Sequence, residues 1–189
     1  MAHIEQLMDG CKNTLIEEGI YQWDEKYPSR QTFQDGILQD QVFVLMEGEG
    51  ILAIVILNEK QNAGWERIPW AHQKGKTLAV HSLAVKPECQ GRGYGKKILE
   101  FCEEYAKENE YGNIRLDVFS ENRRANELYR KQGYTKAGEI EYSFKPEGHR
   151  LYSCYEKKIR RRPPRSVKRI GLRPKPHGAN DRKKRRKPG

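Results

Sequence analysis

The stretch Gln90-Gly91-Arg92-Gly93-Tyr94-Gly95-Lys96-Lys97 sets three glycines among three cations. Glycines let backbone N–H groups converge on an anion without Cβ obstruction. A helix starting here adds unpaired donors and a favourable dipole. The chemistry this suits is phosphate binding, most naturally of a pyrophosphate. Two nucleotide motifs fail on the segment. A P-loop, GxxxxGK[ST], would need glycine where Gln90 stands and Ser or Thr where Lys97 stands. A dinucleotide turn, GxGxxG, meets Lys96 if it starts at Gly91 and Ile98 if it starts at Gly93. Nearby, His81 titrates in the range useful for proton transfer; its other reading is a hydrogen-bonded core histidine.

Elements must position this turn. Ile4, Leu7, Met8, Cys11, Leu15 and Ile16 recur at helical spacing, with Gly19 as the stop. Ser29 caps a short helix to about Leu38. The runs 42–46 and 51–57 read as a hairpin of two buried strands. Residues 58–76 form a polar loop. Thr77–Val85 is a central strand closed by Pro87, and it leads into the glycine turn. A helix follows over 94–109, with Ile98, Leu99, Cys102, Tyr105 and Ala106 on one face. Then come a strand over 114–119, a helix over 122–132, and an antiparallel pair over 135–144 and 151–159. The order predicts a mixed α/β sheet of about six or seven strands.

The pattern [Gln/Arg]-x-x-Gly-x-[Gly/Ala], here Gln90, Gly93 and Gly95 after Leu83-Ala84-Val85-Lys86-Pro87, resembles the acetyl-CoA loop of the GNAT acetyltransferases. A second stretch also resembles that family: Asn122-Arg123-Arg124-Ala125, then Leu128-Tyr129-Arg130-Lys131-Gln132-Gly133-Tyr134. It lies one strand and one helix downstream, as the family requires, and the likeness covers roughly residues 1–159. It implies a single-domain, bacterial-type member of the acyl-CoA N-acyltransferase fold, with a splayed parallel strand pair, 77–85 and 114–119, admitting the pantetheine arm. Leu83, Ala84 and Val85 would pair with that arm. Gln90, Gly91, Arg92, Gly93, Tyr94, Gly95 and Lys96 would hold the pyrophosphate, and Asn122 would contact CoA. Tyr129 resembles the tyrosine that protonates the departing thiolate. It lies seven residues after Asn122, nearly two turns on, so both share a helix face; its other reading is an amphipathic core tyrosine. Asp117 occupies the position where some relatives carry a catalytic carboxylate. His81 and Glu47 are the other candidate bases, and a water relay is an alternative to all three.

The resemblance places the acceptor site in the 20–28 link and the long loop, with Trp23, Tyr27, Trp65 and Trp70. Tyr142, His81 and His149 are further candidates, and Asp24, Glu25, Glu47 and Glu66 would draw a cationic amine. The acceptor is a small-molecule amine or a peptide or protein amine. The implied activity is acetyl transfer from acetyl-CoA to a primary amine, without a metal; the rival reading is a non-catalytic acyl-CoA-binding module. Cys89 stands where relatives carry a bulky apolar residue, and reads as a small substitute or a reactive thiol. A homodimer is a family-level expectation.

Charge divides the chain. Residues 160–189 hold 14 Lys+Arg and one acid, whereas residues 1–159 hold 22 basic and 25 acidic residues. With five prolines and few apolar side chains, 160–189 reads as a disordered basic tail appended to a 1–159 acetyltransferase domain. Such a tail contacts RNA or DNA nonspecifically through phosphates, or is a solvated extension. An RNA- or ribosome-associated role through the tail is therefore a further alternative. No apolar run approaches the roughly 20 residues of a membrane span. The N-terminus lacks a signal-peptide pattern, and Cys11, Cys89, Cys102 and Cys154 form no CxxC pair. These features point to a cytoplasmic protein with reduced thiols and no membrane contact.

Overall fold

The computed structural model describes residues 1–160. Nearly all of the expected basic tail, residues 161–189, lies outside the described residues. The elements are α1 (Ala2–Glu17), α2 (Arg30–Leu38), β1 (Val42–Glu47), β2 (Gly50–Asn58), β3 (Lys76–Val85), α3 (Tyr94–Glu108), β4 (Tyr111–Phe119), α4 (Arg123–Lys131), β5 (Thr135–Glu141) and β6 (Leu151–Lys158). They build one six-stranded sheet in the order β1-β2-β3-β4-β6-β5. Every neighbouring pair is antiparallel except β3 and β4.

Helices cover both faces. α3 lays Ile98, Leu99, Cys102 and Ala106 on the face formed by Val55, Leu57, Leu78, Val80, Leu116 and Val118. Each large apolar side chain buried there is worth about 1.5–3 kcal/mol. α1 and α2 cover Ile54, Ile56 and Ala84 on the other face with Ile4, Leu7, Met8, Cys11 and Phe33. The Ser29 hydroxyl caps α2 in a reciprocal capping box with Thr32.

Three local expectations change. β1 is an edge strand with no fully buried residue, because only β2 pairs with it and nine-residue α2 covers little of its length. β5 stops at Glu141, and Tyr142–Phe144 form a turn. The loop over 58–76 is not merely a polar connection: it buries Trp65, Ile68 and Trp70 against Ala79 and Cys154. Among the described residues, no helix is long and apolar enough to cross a membrane.

Candidate active site

The site begins where β3 and β4 part. Their parallel pairing ends at Ala79 and Arg115. Beyond that point β4 pairs only with β6, while β3 pairs only with β2. A bulge helps turn β3 away. Ser82 and Leu83 together oppose the single residue Val55, and Ser82 sits at φ 49°, a left-handed conformation that non-glycine residues rarely adopt. The gap opens toward both faces of the sheet.

One cavity, of about 500 Å³, runs from the glycine turn into this gap. Gly93 caps α3 at φ 84° with no side-chain cap, and the helix closes its first turn with the Lys97 N–H on the Gly93 carbonyl. The amides of Tyr94, Gly95 and Lys96 precede the first intrahelical bond, so they have no partner within the helix. Gly95 permits a close approach: a Cβ there would lie 2.9 Å from Leu128 Cδ2 of α4. Leu83, Ala84, Val85, Gln90, Gly91, Gly93, Tyr94, Gly95, Lys96 and Asn122 all line this cavity; Arg92 does not, and is exposed beside it. Lys96 also pairs along the helix with Glu100 (3.6 Å). The Val85 carbonyl is already occupied, accepting from Cys11 Sγ (3.2 Å) and Gln90 Nε2 (3.1 Å). Asn122 is the N-cap of α4, its Oδ1 accepting from the Ala125 N–H (3.1 Å). Its Nδ2 donates to Gln22 Oε1 (3.0 Å). Cys89 lines the cavity as a free thiol.

A second cavity, of about 340 Å³, lies in the gap between the 22–27 link, Asn62 and Ala63, and Tyr142–Lys145. It shares Gln22, Trp23, Leu83 and Tyr129 with the first, so the two meet in the gap. Tyr129 reaches this junction from α4. Its ring packs on Tyr134 and Tyr155, and its hydroxyl has no hydrogen-bond partner among the described residues. Burial, reinforced by the negative charge of Asp117, raises its pKa, so the hydroxyl keeps its proton at neutral pH.

His81 and Asp117 occupy the first same-face positions past the last paired residues, one on each side of the gap. His81 Nε2 lies 2.9 Å from the Lys60 carbonyl and 3.1 Å from Asn58 Oδ1, both acceptors, so Nε2 carries the proton. Nδ1 is left as an acceptor. Burial lowers the His81 pKa against the opposing pull of Asp117, so the ring is neutral at neutral pH. Trp65 stacks on the ring at 11°. Asp117 accepts from Asn62 Nδ2 (3.2 Å to Oδ1, 3.3 Å to Oδ2), Trp65 Nε1 (3.4 Å) and the Tyr142 hydroxyl (2.5 Å).

Trp23, Tyr27, His81 and Tyr142 line this second cavity. Trp65 and Trp70 do not. They are core residues, because the loop folds back on the sheet, and Trp65 acts through Asp117. Glu47 ends β1 at the far edge and lines neither cavity. His149 stacks on Phe119 and meets the Gly19 carbonyl, outside both. Asp24 is committed to Lys145 (3.0 Å) and Glu66 pairs with Arg67. Glu25, Glu47 and Glu66 likewise stand outside the second cavity. Sequence reasoning missed Gln22, Asn62 and Arg124. The first two carry no motif. Arg124 sits inside the matched helix start, where it bonds Gln90 Oε1 and Glu18 Oε1.

Comparison with known proteins agrees with this geometry. Residues 8–134 match the model of the acetyltransferase (GNAT) family. The chain is 28% identical over 127 residues to the uncharacterized N-acetyltransferase YesJ of Bacillus subtilis (strain 168), covering 66% of this chain and 70% of that protein. It is 34% identical over 80 residues to the thialysine N-epsilon-acetyltransferase of Bos taurus, covering 41% of this chain and 47% of that enzyme. Among solved structures, a GNAT family acetyltransferase from Streptococcus agalactiae 2603 superposes with a TM-score of 0.72 at 20% identity, covering 85% of this chain and 90% of that one. The family model spans most of the sheet, from α1 past α4, and the parted parallel strands give it the expected frame. The chain belongs to the GNAT family of acetyltransferases.

Proposed function

We propose that the protein transfers the acetyl group of acetyl-CoA to a primary amine. The observation that carries this reading is the meeting of two cavities in the strand gap, at an unpartnered Tyr129 hydroxyl. The first cavity fits a phosphate-bearing thioester. Open helix amides and Lys96 lie at one end, and the apolar side chains of Leu83, Ala84 and Leu128 lie beyond them. Arg124 adds charge at its wall. Acetyl-CoA supplies an activated acetyl thioester when bound; the protein supplies position and proton control.

The Tyr94–Lys96 amides hold the pyrophosphate, and β3 orients the arm through backbone groups near Leu83. The Val85 carbonyl contributes only if Cys11 or Gln90 yields it. Tyr129 donates to the leaving sulfur. The attacking nitrogen must be uncharged, so its proton needs an acceptor. Nδ1 of neutral His81 is that acceptor, with Lys60 and Asn58 fixing the tautomer. Asp117 is the weaker candidate, because its Oδ2 already takes three donors. Cys89 packs beside the turn and is not needed as a nucleophile, since the amine attacks the thioester directly.

The test is calorimetric titration with acetyl-CoA, followed by CoA-thiol release across an amine panel. Expected are micromolar-range binding and turnover by the native protein. Tyr129→Phe should bind acetyl-CoA within about threefold of native and turn over roughly a hundredfold more slowly. Folded protein that fails to bind acetyl-CoA would remove the reading. Tight binding with no transfer to any amine would instead mark an acyl-CoA-binding module.

A further inference from the structure

The acceptor cavity carries one negative charge that no neighbouring cation compensates. Asp117 lies on its β4 wall. The groups that hydrogen-bond to it, from Asn62, Trp65 and Tyr142, are all neutral donors, so none of them carries an opposite charge. Among the described residues no cation pairs with it. The other charged residue lining the cavity is Lys145, 6% exposed, and its ammonium is committed to Asp24 Oδ2 (3.0 Å) and the Gln22 carbonyl (3.0 Å). Asp117 Oδ1 takes a single bond and has room for another donor.

The surroundings suit a cation. Trp23, Tyr27, Tyr142, Phe144 and Tyr152 contribute the aromatic walls, whose faces attract positive charge. The negative field of Asp117 is felt across the pocket: it helps raise the pKa of Tyr27, Tyr129, Tyr142 and Tyr152, each already raised by burial. A nitrogen held against this carboxylate keeps its proton, because a neighbouring opposite charge favours the charged form. It therefore cannot be the nitrogen that attacks the thioester.

Resting on the acetyltransferase reading above, we propose that Asp117 anchors a second, non-reacting ammonium, so that the acceptor is a small aliphatic diamine. One nitrogen is held as a cation at Asp117. The other, entering as an ammonium, gives one proton to His81 Nδ1 and forms the new C–N bond as the C–S bond breaks; the sulfur leaves as thiolate and takes the Tyr129 proton, and the second proton of the nitrogen replaces it on Tyr129. The walls between hold the methylene chain. A free amino acid fits less well, since no unpaired cation in the cavity awaits its carboxylate. The volume suits a small molecule rather than a folded protein surface.

The experiment measures kcat/KM of the full chain for 1,5-diaminopentane, 1-aminopentane, 5-amino-1-pentanol and lysine at saturating acetyl-CoA. The diamine should exceed both singly charged amines and lysine by about tenfold or more, the scale of one desolvated charge pair. Asp117→Asn should collapse that ratio toward one. Calorimetric binding of 1,5-diaminopentane to protein saturated with free CoA should weaken to a similar degree in the variant. A native ratio near one, a preference for lysine, or a ratio that survives Asp117→Asn each overturns the proposal. The native ratio needs no variant, so a misfolded Asp117→Asn leaves the test standing. If acetyl-CoA binds and monoamines react as well as the diamine, this proposal alone falls. If acetyl-CoA does not bind and no amine is acetylated, the acetyltransferase reading falls with it.

Discussion

His81 and Asp117 face each other across the strand gap, yet their polar atoms are differently engaged. The carboxylate is wrapped by donors from the 62–65 loop and Tyr142, whereas the imidazole has one nitrogen fixed and one open. A depressed histidine pKa has two consequences. For catalysis, the open nitrogen is already unprotonated at neutral pH. Between pH 5 and 8 an aliphatic amine is almost wholly ammonium, so kcat/KM should rise with unit slope at low pH and level off at a midpoint below about 6.5. A unit slope persisting to pH 8 would mean that neutral amine is taken from solution and no base operates. His81→Gln should remove the plateau and lower kcat/KM about a hundredfold. For stability, the unfolded chain takes up a proton at His81 as pH falls below about 6.5, while the folded protein does not until lower pH. Native protein should therefore lose stability through that window, and His81→Gln should lose less. None of this was readable from residue types alone. Only the pairing register brings residues 81 and 117 opposite one another, and only the Lys60 carbonyl and Asn58 decide which nitrogen is free.

The turn before α3 was legible because its chemistry is local: the glycines, the cations and the helix start are contiguous in the chain. The loop tryptophans were not, since burial of Trp65 and Trp70 depends on a long-range fold-back that composition does not announce. The corner between β4 and α4 is of the same hidden kind. Asn126, 5% exposed, donates from Nδ2 to the carbonyls of Phe119 (3.0 Å), Ser120 (3.2 Å) and Asn122 (2.8 Å). Its Oδ1 accepts from the Tyr155 hydroxyl at 2.8 Å. One side chain thus ties the end of β4 to the start of α4 and to β6, and Tyr155 in turn packs on Tyr129. Asn126→Ala leaves the Tyr155 hydroxyl and the Ser120 carbonyl without their partner, while the Phe119 and Asn122 carbonyls keep backbone donors, and should cost about 1–3 kcal/mol. Thermal or denaturant unfolding reads that loss. Turnover should also fall by more than acetyl-CoA affinity, because the helix that presents Tyr129 loosens while the glycine turn does not. Unchanged stability would show that the corner is held by its backbone alone.

Charge separates residues 160–189 from residues 1–159. The sheet closes on itself at Ile159, which is buried and donates its N–H to the Gly112 carbonyl (2.9 Å). β6 runs antiparallel to β4 and ends beside Asn113, away from the end where the strands part. Ile159 therefore lies at the end of the sheet opposite the glycine turn, which closes the other end of β3. We propose that residues 1–159 form the acetyltransferase domain and that residues 160–189, with 14 basic residues against one acid, act as a separate polyanion contact. Lacking Phe, Tyr and Trp, the segment offers no large aromatic platform for bases, so binding should be sequence-blind and electrostatic. The full chain should bind a single-stranded oligouridine with an affinity that falls as log salt rises, by about 0.7 per phosphate neutralised. A chain ending at Ile159 should lose that binding while keeping its acetyl-CoA affinity and its kcat within about twofold, as expected for distant, independent sites. If the shortened chain binds the oligonucleotide equally well, the contact belongs to the folded unit. If its acetyl-CoA affinity collapses instead, the segment reaches back to the cavity and the two parts are not separate.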